Sequence, residues 1–171
     1  MDRGGMRVLR GERVQLRATT ADDVPALRAL RETPLVARWW GPLEPDWPRP
    51  DRDVTAWTVV LDGKVAGYAQ SAEETDPQYR HASMDLFMDP RVHNQGLGAE
   101  VVRTLARHLV EDRGHHRITI DPAAANAAAI RCYEKVGFRR VGVLRRYERN
   151  PDTGTWRDGL LLELLAEDLD Y

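Results

Sequence analysis

The sequence predicts a mixed α/β domain, with a mostly antiparallel central sheet flanked by about four helices. Three observations predict it. Segments that alternate with period two are interleaved with stripes of helical period. Asp62-Gly63 stands between two apolar runs, the pattern of a hairpin whose turn needs positive φ. The chain has 171 residues, enough for one core and too few for two domains of usual size. Residues 1–171 are therefore read as a single domain.

The elements follow in order. Residues 8 to 18 read as a first strand, with Val14, Leu16 and Ala18 on one face. Thr19 or Thr20 caps a helix over residues 21 to 31, striped by Val24, Leu27 and Leu30. Pro34 opens a short second helix toward Trp39 and Trp40. Four prolines make residues 41 to 52 an irregular loop. Residues 56 to 61 and 64 to 71 form the hairpin, and the polar, acidic stretch 72 to 79 reads as a loop. Residues 82 to 88 are the next strand. Residues 96 to 113 are the clearest helix, with Leu97, Val101, Leu105 and Leu109 four apart, stopped by Gly114. A short strand over 117 to 121 ends at Pro122. A helix over 126 to 136 carries Ile130, Tyr133 and Val136 on one stripe and stops at Gly137. Residues 138 to 145 and 156 to 165 close the sheet as a hairpin around 150 to 154.

Composition removes several functions. Basic and acidic residues number 25 and 27, a net charge of −2, which disfavours a general nucleic-acid binder. The single cysteine, Cys132, rules out an internal disulfide and a Cys-rich zinc site. His115 and His116 follow a helix end with no third ligand in sight, so no metal is expected. No apolar run reaches 18 residues, so no membrane span is expected. Residues 1 to 13 lack the apolar centre of a signal peptide, and a cytoplasmic location is the default expectation.

The chemistry concentrates in His93-Asn94-Gln95-Gly96-Leu97-Gly98-Ala99, between a strand and the longest helix. Glycines let backbone approach a ligand closely, and a helix start presents unpaired N–H groups to an anion. Two known phosphate motifs fail here. Gly98 is followed by Ala99 and Glu100 instead of Lys-Ser/Thr, and position 101 is Val instead of a third glycine. A plain tight turn stays open on these residues alone.

The second segment is Asn126…Ala129…Tyr133…Gly137-Phe138. Together the two segments resemble the acetyl-CoA-binding motifs of the GNAT acetyltransferase superfamily. The resemblance departs at His93, where that family usually has Gln or Arg. Trp39-Trp40-Gly41, residues 67 to 71, Glu73-Glu74-Thr75-Asp76-Pro77 and residues 130 to 135 are similar, in the same order, to aminoglycoside 6′-N-acetyltransferases. Siderophore-pathway lysine acetyltransferases are similar in the same regions. The first 30 residues and the tail after Leu144 match poorly.

This resemblance implies the GNAT fold and acetyl transfer from acetyl-CoA, without a metal, to a cationic amine-bearing small molecule, most of all the 6′-amino group of an aminoglycoside. It implies cofactor contacts from Phe87, Met88, His93, Asn94, Gln95, Gly96, Leu97, Gly98, Ala99, Asn126 and Ala129. Tyr133 would be the acid or donor for the CoA thiolate, and Asp85 the base that frees the amine. The strand carrying Asp85 to Met88 would supply an N–H to the oxyanion. Trp40, Glu73, Glu74, Asp76, Asp85 and Asp121 would hold the acceptor. Structural roles compete for each of these residues: core packing for Tyr133, an arginine salt bridge for Asp85, turn chemistry for Asp121, and a solvated face for the acidic loop. Cys132, Trp47, Trp57 and Trp156 are read as structural. Two other readings stay open: an acetyltransferase for lysine-like metabolites or protein amines, and a non-catalytic acyl-CoA-binding module. Neither nucleic acid nor membrane is expected as a partner, and the protein is a monomer or homodimer.

Overall fold

The computed structural model describes residues 7–49, 53–150 and 152–170. The parts of the expected N-terminal stretch, proline-rich loop and closing turn at 1–6, 50–52 and 151 lie outside the described residues. Eight strands form one sheet in the order β1-β2-β3-β4-β5-β6-β8-β7. They are β1 (Leu9–Arg10), β2 (Val14–Ala18), β3 (Val54–Leu61), β4 (Lys64–Glu74), β5 (His81–Met88), β6 (Arg117–Ile120), β7 (Arg139–Arg149) and β8 (Trp156–Leu165). Four helices flank them: α1 (Val24–Arg31), α2 (Pro34–Trp40), α3 (Leu97–Arg107) and α4 (Ala127–Val136). The expected mixed sheet with four helices is what the chain forms.

Two elements depart from the sequence reading. The stretch read as one first strand is a tight hairpin, with Leu9 opposite Leu16 and Arg10 opposite Gln15. The Gly11 N–H donates to the Val14 carbonyl and reverses the chain. Alternation survives the reversal, because both short arms bury alternate residues, and so the turn is hidden from a period-two reading. The second departure is β4, which continues through Glu74 where a loop was expected. Its pairing with β5 runs to Glu74 opposite His81, so ladder bonds carry the polar residues into the sheet. The remaining elements fall close to where the periodicity puts them, except that β7 runs on to Arg149, past the expected end at 145. Asp62 and Gly63 both have positive φ, 50° and 75°. The last turn of the long helix, residues 108 to 112, widens into π geometry before Gly114.

Alternation sorts the core onto the two faces of the sheet. Leu16, Val59, Ala69, Met84 and Met88 pack on one face with Val101, Leu105, Ile130, Tyr133 and Val136 of α3 and α4. Tyr68 and Phe87 pack on the other with Leu27, Leu30 and Val36 of α1 and α2, and with Trp47. Each fully buried Leu or Val contributes ~1.5–3 kcal/mol, so the two faces together hold the sheet.

One feature of the topology makes room for a site. The only parallel neighbours among the described strands, β5 and β6, pair through just Ala82–Ile118 and Ser83–Thr119. Beyond Ser83, β5 keeps its partner β4 and loses β6, while β6 continues along β8 to Ile120. The sheet therefore splays at Met84–Met88, and one edge of β5 stands open between the two faces.

Candidate active site

A cleft of about 500 Å³ occupies this splay. One wall is the start of α3 and the inner side of α4. Gly96 starts α3 in the left-handed region, φ 75°, and Asn94 precedes it at φ 62°. Among the described residues, no backbone carbonyl accepts from the N–H groups of residues 94 to 99, as expected of a turn and a first helical turn. Asn94, Gly96, Leu97, Gly98 and Ala99 line the cleft, and the dipole of α3 points its positive end there. A Cβ at Gly98 would touch Cys132 Sγ at 3.4 Å, an ordinary van der Waals contact, while a larger side chain would fill space between α3 and α4 beside the cleft. These residues fit a phosphate-bearing ligand. His93 turns its Nε2 to the Met88 carbonyl at 2.9 Å and borders the same wall. Gln95 is the exception among the expected contacts. It is not a lining residue, and its carbonyl accepts from Arg13 instead.

Asn126 caps α4, its side-chain oxygen accepting from the Ala129 N–H at 3.3 Å. Both residues line the cleft. Two turns later Tyr133 is buried at 5% exposure, yet it also lines the cleft, and among the described residues its hydroxyl makes no hydrogen bond. Burial, then the negative potential of Asp85, pushes its pKa well above that of free tyrosine. It is therefore a protonated donor at every physiological pH. Cys132 beside it is half-buried, its thiol pushed up to about 11 by burial, and so it is not a thiolate nucleophile.

The opposite wall is built on β5 and α2. The register fixes which backbone groups face the open edge. Phe87 and Asp85 pair back to β4, while Leu86 and Met88 point outward. The Leu86 carbonyl accepts from the Trp40 indole at 3.2 Å, and the Leu86 N–H donates to Asp85 Oδ1 at 2.9 Å. The Met88 N–H is the outward donor left for a ligand. Trp40 stands edge-on to Phe87 at 5.1 Å and to Tyr68 at 6.0 Å, so it anchors α2 to the sheet as well as forming wall. Trp39 also borders the cleft, with the Arg38 and Arg157 guanidiniums 4.8 and 5.3 Å from its ring.

Asp85 sits half-buried at the centre. Burial first, then the charges of Asp121 and Glu148, raises its pKa to about 7. The Leu86 N–H and the Arg31 cation act in the opposite sense and are outweighed. Asp121 lies at the end of β6, where it accepts the Tyr147 hydroxyl. That bond and burial raise the Tyr147 phenol to about 12.

The expected acidic loop does not reach this cleft. Glu73 accepts from Arg113 at 3.1 Å and from His115 at 2.6 Å, on the far side of the sheet end. Glu74 and Asp76 cap backbone N–H groups in their own exposed turn. The reason is β4: its extension fixes these carboxylates beyond the splay. The acidic partner that sequence reasoning missed is Glu148, in β7, which lines the cleft and pairs with Arg157 at 2.9 Å. Arg131 and Lys135 were missed too; they line the α4 rim and add positive charge to the glycine-turn side. Their spacing of four on α4 was visible in the sequence. Glu148 left no such signal, because its place depends on the twist of a hairpin. Of the three tryptophans read as structural, Trp47 and Trp57 are buried and Trp156 is 62% exposed.

The model of the acetyltransferase (GNAT) family matches residues 15–138. An aminoglycoside N(6′)-acetyltransferase type 1 of Klebsiella pneumoniae is 32% identical over 154 residues, covering 77% of this chain and 76% of that protein. A ribosomal protein bS18 alanine N-acetyltransferase of Escherichia coli is 31% identical over 109 residues, covering 62% and 68%. Among solved structures, AAC(6′)-Ib in complex with ribostamycin and coenzyme A superimposes with a TM-score of 0.76. It is 28% identical, with 92% of this chain and 96% of that one covered.

Proposed function

The chain belongs to the acetyltransferase (GNAT) family and is an acetyl-CoA-dependent N-acetyltransferase; on that premise we propose that its acceptor is an aminoglycoside, acetylated at the 6′-amino group. The observation that carries the proposal is the convergence of Asp85, Asp121 and Glu148 on the wall opposite the glycine turn. Three carboxylates in one cleft suit a sugar bearing several ammonium groups, by attraction and by orientation. The relatives named as aminoglycoside acetyltransferases support the same reading.

In this mechanism the residues divide the work across the splay. The N–H groups of 94 to 99 hold the pyrophosphate of acetyl-CoA, and Arg131 and Lys135 add charge at the rim. Asn126 and Ala129 border the pantetheine arm. Phe87 and Met88 belong to the strand edge along which that arm lies. The Met88 N–H hydrogen-bonds the thioester oxygen as it becomes an oxyanion. Asp121 and Glu148 hold ammonium groups of the acceptor against the Trp40 side of the cleft. Asp85 removes one proton from the attacking ammonium, which leaves the nitrogen lone pair free to bond the acetyl carbon. As the C–S bond breaks, Tyr133 donates its hydroxyl proton or a hydrogen bond to the departing thiolate, and the second proton of the acylated nitrogen restores the phenol or leaves to water, so that the products are a neutral amide and CoA.

The test is CoA thiol release by the purified protein with kanamycin, tobramycin, a 6′-hydroxyl aminoglycoside, lysine derivatives and a short peptide amine. Turnover confined to 6′-amino compounds, at kcat/KM of ~10⁴ M⁻¹s⁻¹ or above, is the expected result. Turnover with the peptide alone would replace the acceptor by a protein N-terminus, the reading favoured by the alanine N-acetyltransferase relatives.

A further inference from the structure

We propose that Arg13, outside the cleft and 82 residues before the glycine turn in sequence, is a positioning residue for the pyrophosphate of acetyl-CoA. The inference rests on the glycine turn being the pyrophosphate site. Arg13 lies in the β1–β2 hairpin, packed behind the start of α3. Its side chain holds the turn and the helix at once. Nη1 donates to the Gln95 carbonyl at 2.9 Å, and Nε donates to Glu100 Oε2 at 2.9 Å. The other carboxylate oxygen of Glu100 accepts the backbone N–H groups of Arg13 and Val14, at 2.5 and 2.9 Å. A Cβ on Gly11 would stand 2.7 Å from Glu100 Oε1 and 2.9 Å from Thr104 Oγ1, so a larger residue there would have to displace the Glu100 carboxylate from the hairpin.

Two physical consequences follow. The first is orientation. In a trans peptide the carbonyl of one residue and the N–H of the next point in opposite directions. Arg13 holds the Gln95 carbonyl on the side away from the cleft, where Gln95 itself lines nothing, and so aims the Gly96 N–H toward the cleft that Gly96 lines. Gln95 lies between two residues at positive φ, Asn94 and Gly96, a backbone shape that Asn94 adopts at a cost. Without the brace the peptide plane is free to turn and withdraw its donor. The second consequence is charge. Glu100 is a buried carboxylate in the first turn of α3 and would repel an anion at the same helix end. The Arg13 guanidinium, paired to it, cancels that repulsion.

The experiment measures CoA binding by titration calorimetry for the wild type, Arg13→Ala, Arg13→Lys and Gly98→Val. Pantetheine, which lacks the pyrophosphate, is titrated in parallel by ligand-observed NMR. Arg13→Ala is expected to weaken CoA ~10-fold, the scale of one lost charge-assisted bond at the ligand end. Pantetheine affinity should stay within twofold, because the brace acts on the phosphate donors alone. Arg13→Lys, which cannot span both acceptors, should give a smaller loss of the same kind and serves if Arg13→Ala folds poorly. CoA affinity within twofold of wild type in both Arg13 variants, with Gly98→Val clearly weakened, would overturn the inference and leave the glycine-turn reading intact. Equal losses for CoA and pantetheine would also overturn it, since a merely structural hairpin would act on both. Undiminished CoA binding by Gly98→Val would bring down the glycine-turn reading itself, and the role of Arg13 with it.

Discussion

In the proposed mechanism Asp85 is the base, and it is placed where being charged is expensive. Its pKa of about 7 makes it half-ionised near neutral pH, where a base is most effective. The acceptor's kcat/KM should therefore fall as pH drops below about 7, and Asp85→Asn should lower it by ~10²-fold or more and erase that limb. The same shift acts on stability with a definite sign. An unfolded aspartate ionises near pH 4 while the folded one stays protonated to about 7, so the folded state binds more protons in between. Stability is full below pH 4 and declines as pH rises toward 7. Asp85→Asn should thus raise the Tm at pH 8 and leave it nearly unchanged at pH 4, a comparison that calorimetry makes directly. The same proposal gives Tyr133 the opposite task, a proton to donate. Tyr133→Phe should lower kcat ~10²-fold with little change in CoA affinity. Activity within a factor of two of wild type would return Tyr133 to a packing role.

At the scale of elements, the site depends on where helices stop. Gly137 ends α4 at φ 118°, and a Cβ there would strike the Asp168 carbonyl of the C-terminal turn. Gly137→Ala combines a disfavoured backbone with a backbone clash, and neither can relax cheaply. It should cost ~2 kcal/mol or more, read as a lower urea midpoint at unchanged m-value. The β7–β8 hairpin is tied to α2 in a different way. Arg157 donates to the carbonyls of Arg38 and Trp39 at 3.0 and 3.1 Å while its Nε holds Glu148. One guanidinium thus sets both the end of α2 and the direction of a cleft carboxylate. That dependence on a hairpin late in the chain is why Glu148 was not legible in the sequence.

For the whole molecule, the cleft is a gap in one sheet that joins its two packed faces. The glycine turn, Asn126 and Tyr133 reach it from the α3–α4 face; Trp39, Trp40 and Asp85 reach it from the other. A ligand spanning the gap substitutes for the missing β5–β6 pairing, so it should stabilise the entire fold. CoA at 100 times its Kd contributes about 2.7 kcal/mol by mass action. For a chain of this size that corresponds to a rise in Tm of ~5–10 °C, read in a thermal melt with and without CoA. No such rise at saturation would argue against CoA closing the splay.

Local rules were enough for much of this. The Asp62-Gly63 hairpin, the stripes of α1, α3 and α4, the glycine stops and the Gly96–Gly98 turn are fixed by neighbours within a few residues, and periodicity reports such constraints directly. The resemblance carried by the glycine turn and the Asn126–Phe138 segment added the family. Tertiary structure decided what neighbours in sequence cannot. It split the first strand into a hairpin under Glu100, extended β4 and turned Glu73 toward Arg113 and His115, and brought Glu148 rather than the acidic loop beside Asp85. A carboxylate's partner is set by strand length, register and twist summed over many residues. Those sums place charges that lie tens of residues apart, and no local pattern encodes them.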